Sequence, residues 1–253
     1  MERWKYRTAL ITGAAHRIGA AIATDLCQHG YKVVIHHHDS ENEAERLAAA
    51  LREDGRSASV ITGDLVGGDM AAIFADARDA VGPIGVLVNN ASIFEPDTAS
   101  APDAELMRLH HAIHVQAPAL LAAQFAAQAE VSDGLVVNMI DQRVWRLNPR
   151  FFSYTLSKSA LWTATRTMAM QFAPNVRVNA IGPGPTLPNE RQSDADFCHQ
   201  VEALPLESGP QLAEFGRTVR YLDDTPSITG QMIALDGGQH LAWKTPDIEG
   251  MEE

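Results

Sequence analysis

With 253 residues, 45% of them hydrophobic, the chain is long enough to bury one α/β core, and a single domain over 1–253 is expected. A formal charge of −12 argues against a nucleic-acid partner. No apolar run is long enough to span a bilayer and no charged-then-apolar leader opens the chain, so the default expectation is no membrane partner and a cytoplasmic location.

Apolar strand-like runs alternate with helical patterns along the chain. Thr8 to Ile11 is a short β-branched run, and Ile18 to His29 follows with helical spacing. Joining them is Thr12-Gly13-Ala14-Ala15-His16-Arg17-Ile18-Gly19. A strand, a small-residue turn and a helix aim backbone N–H groups and a helix N-terminus at a phosphate, which makes this turn a candidate dinucleotide site. Gly13 allows the tight turn and Gly19 allows close helix–sheet packing. Further strands are expected at Val33 to Ile35, Ser59 to Ile61, Val86 to Asn89, Leu135 to Met139, Val176 to Ile181 and Ile233 to Leu235. Helices are expected at Asn42 to Glu53, Asp69 to Val81, Asp103 to Ala129 and Tyr154 to Phe172. This alternation predicts one Rossmann-type, doubly wound parallel sheet of about seven strands, with helices on both faces and ligands at the carboxyl ends of the strands. Pro185 to Pro210 is rich in Pro, Asn, Ser and Asp and reads as a mobile loop with a short helix, while 244–253 is a charged tail expected to fray.

Tyr154 and Lys158 stand four residues apart, which on a helix places a phenol and an ammonium on one face. Such pairs are common on exposed helices. They are also acid/base pairs, because an unperturbed Tyr titrates near pH ~10 and a nearby cation stabilises its phenolate. The second strand ends in His36-His37-His38-Asp39-Ser40, where the histidines and the serine offer donors to a phosphate. Adjacent histidines on a strand point to alternate faces and cannot converge on one ion, and Cys27 and Cys198 fit no ligand spacing, so no metal is expected.

Five ordered motifs resemble the short-chain dehydrogenase/reductase family, over about Tyr6 to Leu241. They are the Thr12 to Gly19 turn, Asn89-Asn90-Ala91-Ser92, Tyr154 with Lys158, Pro183-Gly184, and Ile228-Thr229-Gly230-Gln231 with Asp236-Gly237-Gly238. Two departures from the common family pattern narrow the resemblance. Arg17 stands where the turn has its middle glycine, and Asp141 stands where the family carries a catalytic serine. An ionised carboxylate would repel the oxyanion developing on a carbonyl, whereas a desolvated carboxyl bonded to a tyrosine can relay a proton to the nitrogen of a ring C=N. With the histidine turn and Phe94, these residues resemble the pteridine reductase branch of the family.

That resemblance implies NADPH-dependent reduction of a pterin or folate. It implies catalytic roles for Asp141, Tyr154 and Lys158, with Lys158 also holding the nicotinamide ribose and lowering the tyrosine's pKa. The cofactor would lie against Gly13, Arg17, Ile18, Gly19, His36, His37, His38, Ser40, Asp64, Leu65, Asn90, Ala91, Ser92, Pro183 and Gly184, besides Tyr154 and Lys158, with Asp64 accepting from the adenine amino group. Arg17, Ser92, Phe94, Asp141 and Tyr154 would line a small-molecule, pterin-like substrate, with Phe94 stacked on one face of its ring. His37 at the discriminating position favours NADPH over NADH, while Asp39, where the branch carries an arginine, works against a 2′-phosphate. His114 replaces a helix asparagine that in many members organises a relay water, and is either part of an altered relay or a satisfied core residue. The resemblance further implies a substrate lid at about 185–210 and a homotetramer. The long helices fit the latter, because their faces, with Leu120, Leu121, Leu161 and Met168, carry more apolar surface than one sheet face needs to cover. Two alternatives stay open: an alcohol or carbonyl oxidoreductase of another substrate class, and a catalytically weak NAD(P)-binding sensor.

Overall fold

Strands β1 (Thr8–Ile11), β2 (Lys32–His37), β3 (Ala58–Thr62), β4 (Val86–Asn89), β5 (Gly134–Met139), β6 (Val176–Pro183) and β7 (Met232–Leu235) pair in parallel as one sheet. Their order is β3-β2-β1-β4-β5-β6-β7. The computed structural model describes residues 6–189 and 191–243, so the expected fraying of the 244–253 tail lies outside the described residues. Helices α1 (Arg17–Gln28), α2 (Glu41–Glu53), α3 (Met70–Val81), α4 (Ala104–His111), α5 (Ala117–Ala126), α6 (Phe152–Phe172), α7 (Asp194–Glu202) and α8 (Leu212–Asp224) complete the described layers.

Successive strand side chains point to opposite faces, and both faces are covered, which is why the strands read as continuous apolar runs. Leu10, Val34, Leu87, Val136 and Val178 pack with Ile73, Phe74, Leu121, Phe125 and Met168 on one face. Ile11, Ile35, Val88, Val137 and Ile181 pack with Ile22, Leu26, Phe215, Val219 and Leu222 on the other. The strand order reverses between β1 and β4, and the crevice beyond their carboxyl ends is where such sheets take ligands.

Three features depart from the sequence reading. The helix expected from Asp103 to Ala129 is broken into α4 and α5 by a π-helical turn at Ala112–Gln116 and ends at Ala126. Pro118 has no N–H to give to the His114 carbonyl, and the ladder widens there. Helix α8 is an addition, begun by a capping box between Gln211 and Glu214. Of the four apolar residues assigned to a free helix face, only Leu120 is exposed, whereas Leu121, Leu161 and Met168 are buried in the cores beside the sheet. The segment 185–210 does contain one short helix, α7. No helix among the described residues is long and apolar enough to cross a membrane.

Candidate active site

The phosphate turn is held by its neighbour across the sheet. Thr12 Oγ1 accepts from the N–H groups of Asn90 (2.9 Å) and Ala91 (3.0 Å), while Asn90 Nδ2 donates to the carbonyls of Thr12 (2.9 Å) and Gly13 (3.0 Å). The Asn90 side chain is therefore spent on the turn. A Cβ on Gly13 would lie 2.9 Å from the Ala91 Cα, and one on Gly19 would lie 2.5 Å from both Asn90 Nδ2 and the Gly13 carbonyl. His16, the residue before α1, makes no side-chain cap, so α1 begins without one of the usual partners for its first N–H groups. A glycine cradle facing an uncapped helix start fits a dinucleotide phosphate. Arg17 adopts a left-handed φ of 51°, and its guanidinium donates to the carbonyls of Pro188 (3.1 Å) and Leu187 (3.3 Å).

The histidine turn divides its labour. His36 is 1% exposed, its Nδ1 accepts from the Gly13 N–H at 3.3 Å, and burial pulls its pKa down to about 4. It therefore braces the glycine turn through Nδ1, which leaves the proton on Nε2, a buried ring nitrogen with no hydrogen-bond partner. His37 is also buried, and its Nδ1–H donates to the His38 carbonyl at 3.1 Å. His38 lies open, with Nε2 3.3 Å from the carboxylate of the exposed Asp39, and Ser40 follows with its hydroxyl unused as a cap. Asp64 accepts from the N–H groups of Val66 (2.8 Å) and Gly67 (3.0 Å), which hold its carboxyl below the usual range. The Leu65 side chain packs into the core with Ile73 and Phe74.

At the other side of the crevice, Tyr154 Oη donates to Asp141 Oδ2 at 3.0 Å. Asp141 Oδ1 accepts from the Arg143 N–H at 2.8 Å, which fixes the carboxylate at the start of the short helical turn Gln142–Val144. Lys158, 2% exposed, donates to the Met139 carbonyl at 2.8 Å. Burial raises the Asp141 pKa, opposed by the Arg143 amide and guanidinium, by Tyr154 and by Lys158. Burial first, and then Asp141, push the Tyr154 phenol well above its ordinary value. Desolvation and the adjacent carboxylate thus dominate the phenol, and the cation that opposes them is Arg143, not the Lys158 expected from the sequence. Lys158 itself is brought down to about 8 by burial.

His114 is 1% exposed and spans two serines: Ser157 Oγ lies 2.8 Å from Nδ1 and Ser92 Oγ 2.8 Å from Nε2. The Ser157 hydroxyl donates to the Tyr154 carbonyl at 2.7 Å, so it accepts from Nδ1–H. By that network Nε2 is an acceptor, taking the Ser92 hydroxyl proton and the Ile93 N–H at 3.4 Å. Burial, Lys158 and His110 hold the imidazole well below its ordinary pKa, so it is neutral. His110 stacks on it at 5.5 Å, and both rings meet Tyr154 edge-on, at 5.8 and 5.4 Å.

Phe94 reaches the crevice but stacks on Phe151, with centroids 3.9 Å apart and planes 13° off parallel. One of its faces is therefore already covered, and its other contact is an edge-on one with Tyr154 at 4.7 Å. Arg143 and Arg191 are each nearly equidistant from the two stacked rings, at 5.4 and 5.1 Å and at 5.8 and 5.9 Å, so neither guanidinium is centred over a face. Arg191 also donates to the Phe94 carbonyl.

The resulting cleft has a volume of about 990 Å³. Of the expected site residues, Arg17, Ile18, Asn90, Ser92, Phe94, Asp141, Tyr154, Lys158, Pro183 and Gly184 line it. Gly184 is there because a Cβ would fall 2.6 Å from the Asp236 Cα. Gly13 and Gly19 belong to the phosphate turn, against which Ala91 packs from the segment after β4, whereas His36, His37, His38, Ser40, Asp64 and Leu65 belong to β2, β3 and the loops that follow them. The sequence reading missed His110, Arg143, Phe151 and Arg191. His110 was signalled by its place four residues before His114; the others lie on loops with no such pattern.

The family model described as "Enoyl-(Acyl carrier protein) reductase" matches residues 13–240. A "Short-chain type dehydrogenase/reductase" of Picea abies is 29% identical over 92% of this chain and 92% of its own length. A "Dihydromonapterin reductase" of Klebsiella pneumoniae is 29% identical over 95% of this chain and 100% of its own. Among solved structures, "FolM Alternative dihydrofolate reductase 1" from Brucella suis in complex with NADP superposes with a TM-score of 0.92 at 56% identity, over 95% of this chain and 97% of that one. The chain belongs to the short-chain dehydrogenase/reductase family and is an oxidoreductase of that family.

Proposed function

We propose that this oxidoreductase is an NADPH-dependent reductase of a pterin or folate, acting on a ring C=N. The observation that carries the reading is the Asp141 carboxylate 3.0 Å from the Tyr154 hydroxyl, in the place of a neutral serine donor. The names of the Klebsiella and Brucella relatives, and the NADP bound to the latter, support it.

NADPH would rest its phosphates on Gly13, Gly19, Ile18 and the start of α1, with His38 and Ser40 toward a 2′-phosphate and Asp64 at the adenine. When bound it supplies the hydride that the protein cannot. The protein's own share is the proton and the positioning. Because burial raises its pKa, the Asp141 carboxyl keeps a proton nearer neutral pH than an exposed aspartate does, and delivers it to the ring nitrogen directly or through Tyr154 Oη. Lys158, anchored on the Met139 carbonyl, orients the ribose. Ser92 gives its hydroxyl proton to His114 and so presents lone pairs to a ligand N–H. Arg17 on Leu187 and Pro188, and Arg191 on Phe94, fasten the two ends of the 187–191 stretch across the cleft, which suits a lid over 185–210. Exposed Met107, Leu120, Leu156 and Met170 are large apolar side chains that α4, α5 and α6 offer for pairing in a homotetramer, which light scattering would test.

The test is oxidation of NADPH by purified protein offered a dihydropterin or dihydrofolate, repeated with NADH. Turnover that prefers NADPH is expected. Tight NADPH binding with no turnover of any pterin or folate would overturn the reading and favour a carbonyl substrate or a sensor.

A further inference from the structure

The chain is acidic overall, with a formal charge of −12, yet the lining of its cleft is rich in cations. Arg17, Arg143, Arg146, Arg150, Lys158 and Arg191 line it, against the carboxylates of Asp141 and Asp196. Four of these cations are already engaged. Lys158 is fixed on the Met139 carbonyl, Arg17 on Leu187 and Pro188, Arg191 pairs with Glu95 at 3.0 Å, and Arg143 lies 3.9 Å from Asp141. Arg146 and Arg150 are exposed, and among the described residues neither forms an ion pair. Their loop is nonetheless built: Asn148 Oδ1 accepts from the Arg150 N–H at 3.0 Å and from Arg143 Nη1 at 3.2 Å. Exposed Leu147 lies between the two arginines in sequence, and Phe151 follows the second.

Resting on the function proposed above, we infer that the preferred substrate carries an anionic tail, received by Arg146 and Arg150 while its ring lies at Asp141 and Tyr154. Two uncompensated guanidinium groups at the rim of a low-dielectric cleft concentrate anions there, whatever the sign of the whole molecule. A guanidinium fork binds carboxylate and phosphate alike, so the chemistry is that of an oxyanion on the substrate's side chain. Two sources fit: the glutamate carboxylates of a folate, and a phosphate ester on a pterin side chain. The aryl spacer of a folate matches the Leu147 and Phe151 rim and favours the first. A pterin with a neutral hydroxyalkyl side chain leaves both arginines unused.

Calorimetric titration in saturating NADP+ tests this by binding alone, with folate, biopterin and a phosphorylated pterin as probes. The titrations are run at about 0.01 M and about 0.15 M ionic strength, between which the Debye length falls from about 30 to about 8 Å. Folate is expected to bind roughly tenfold tighter than biopterin at the lower salt, with the advantage shrinking at the higher. In an Arg146→Gln/Arg150→Gln variant the ratio should fall to about threefold or less. A phosphorylated pterin that outbinds folate through the same two arginines upholds the anion site and assigns it to phosphate. Biopterin binding as tightly as both anionic probes, or an advantage kept in full by the double variant, overturns the inference and leaves the reductase reading standing. Failure of every pterin and folate to bind overturns both.

Discussion

Lys158 is an ammonium with 2% exposure, and the cost of placing it there can be measured directly. Its pKa is lowered from 10.5 to about 8. Between those values the unfolded chain binds the proton and the folded chain does not, so stability rises with pH across that window. The folded state has its full relative stability above the unfolded pKa and loses it as pH falls through about 8. At pH 7 the shift corresponds to about 3 kcal/mol of destabilisation. Lys158→Met removes that cost but gives up the hydrogen bond to the Met139 carbonyl, worth about 1 kcal/mol. The variant should therefore be inactive yet more stable than the parent by about 2 kcal/mol at neutral pH, with the gain vanishing by about pH 10. Urea unfolding of both proteins across that range is the assay. A variant less stable than the parent at neutral pH, or a difference that does not change with pH, would mean that the buried ammonium carries no such cost.

Gly19→Ala should destabilise the fold by about 1–3 kcal/mol and weaken NADPH binding at least about tenfold, because the methyl meets Asn90 Nδ2 and the Gly13 carbonyl. Calorimetry with and without NADPH reads both effects, and a variant unchanged in either contradicts the cradle. His114→Ala leaves the Ser92 and Ser157 hydroxyls without their imidazole, and should lose about 2 kcal/mol of stability and raise KM for the pterin more than it weakens NADPH. Equal effects on both ligands would make His114 purely structural. Asp39→Asn, at a side chain 86% exposed and next to His38, should tighten NADPH binding by about threefold at low salt without helping NADH. An unchanged preference would place the 2′-phosphate elsewhere.

The strands were legible in the sequence because a parallel sheet covered on both faces demands continuous apolar runs, and β1, β4 and β5 are such runs. Helix α8 has its own signature in the Gln211 and Glu214 capping box and in the spacing of Leu212, Phe215, Val219 and Leu222, but it directly follows a Pro-rich stretch that draws the eye to loop. The π turn is marked only by Pro118. Meeting of Asp141, Tyr154 and Lys158 followed from motif spacing, whereas the sign of the tyrosine's shift did not. It depends on burial and on a 3.0 Å contact across two elements, and no spacing rule encodes either. The inward turn of His36 and the Phe94–Phe151 stack are decided in the same way, by contacts with residues far away in the chain.

Asp141 is proposed to supply the proton for a C=N reduction. The most direct measurement is the pH dependence of kcat for NADPH oxidation with a dihydropterin, in the parent and in Asp141→Ser. Because the Asp141 pKa is raised, the parent should be active while the carboxyl holds its proton and should decline as pH rises through that value. The serine variant should lose about 100-fold or more in kcat together with that alkaline decline, while still binding NADPH. A serine variant that reduces the dihydropterin as fast as the parent, with the same pH profile, would show that the proton does not come from Asp141.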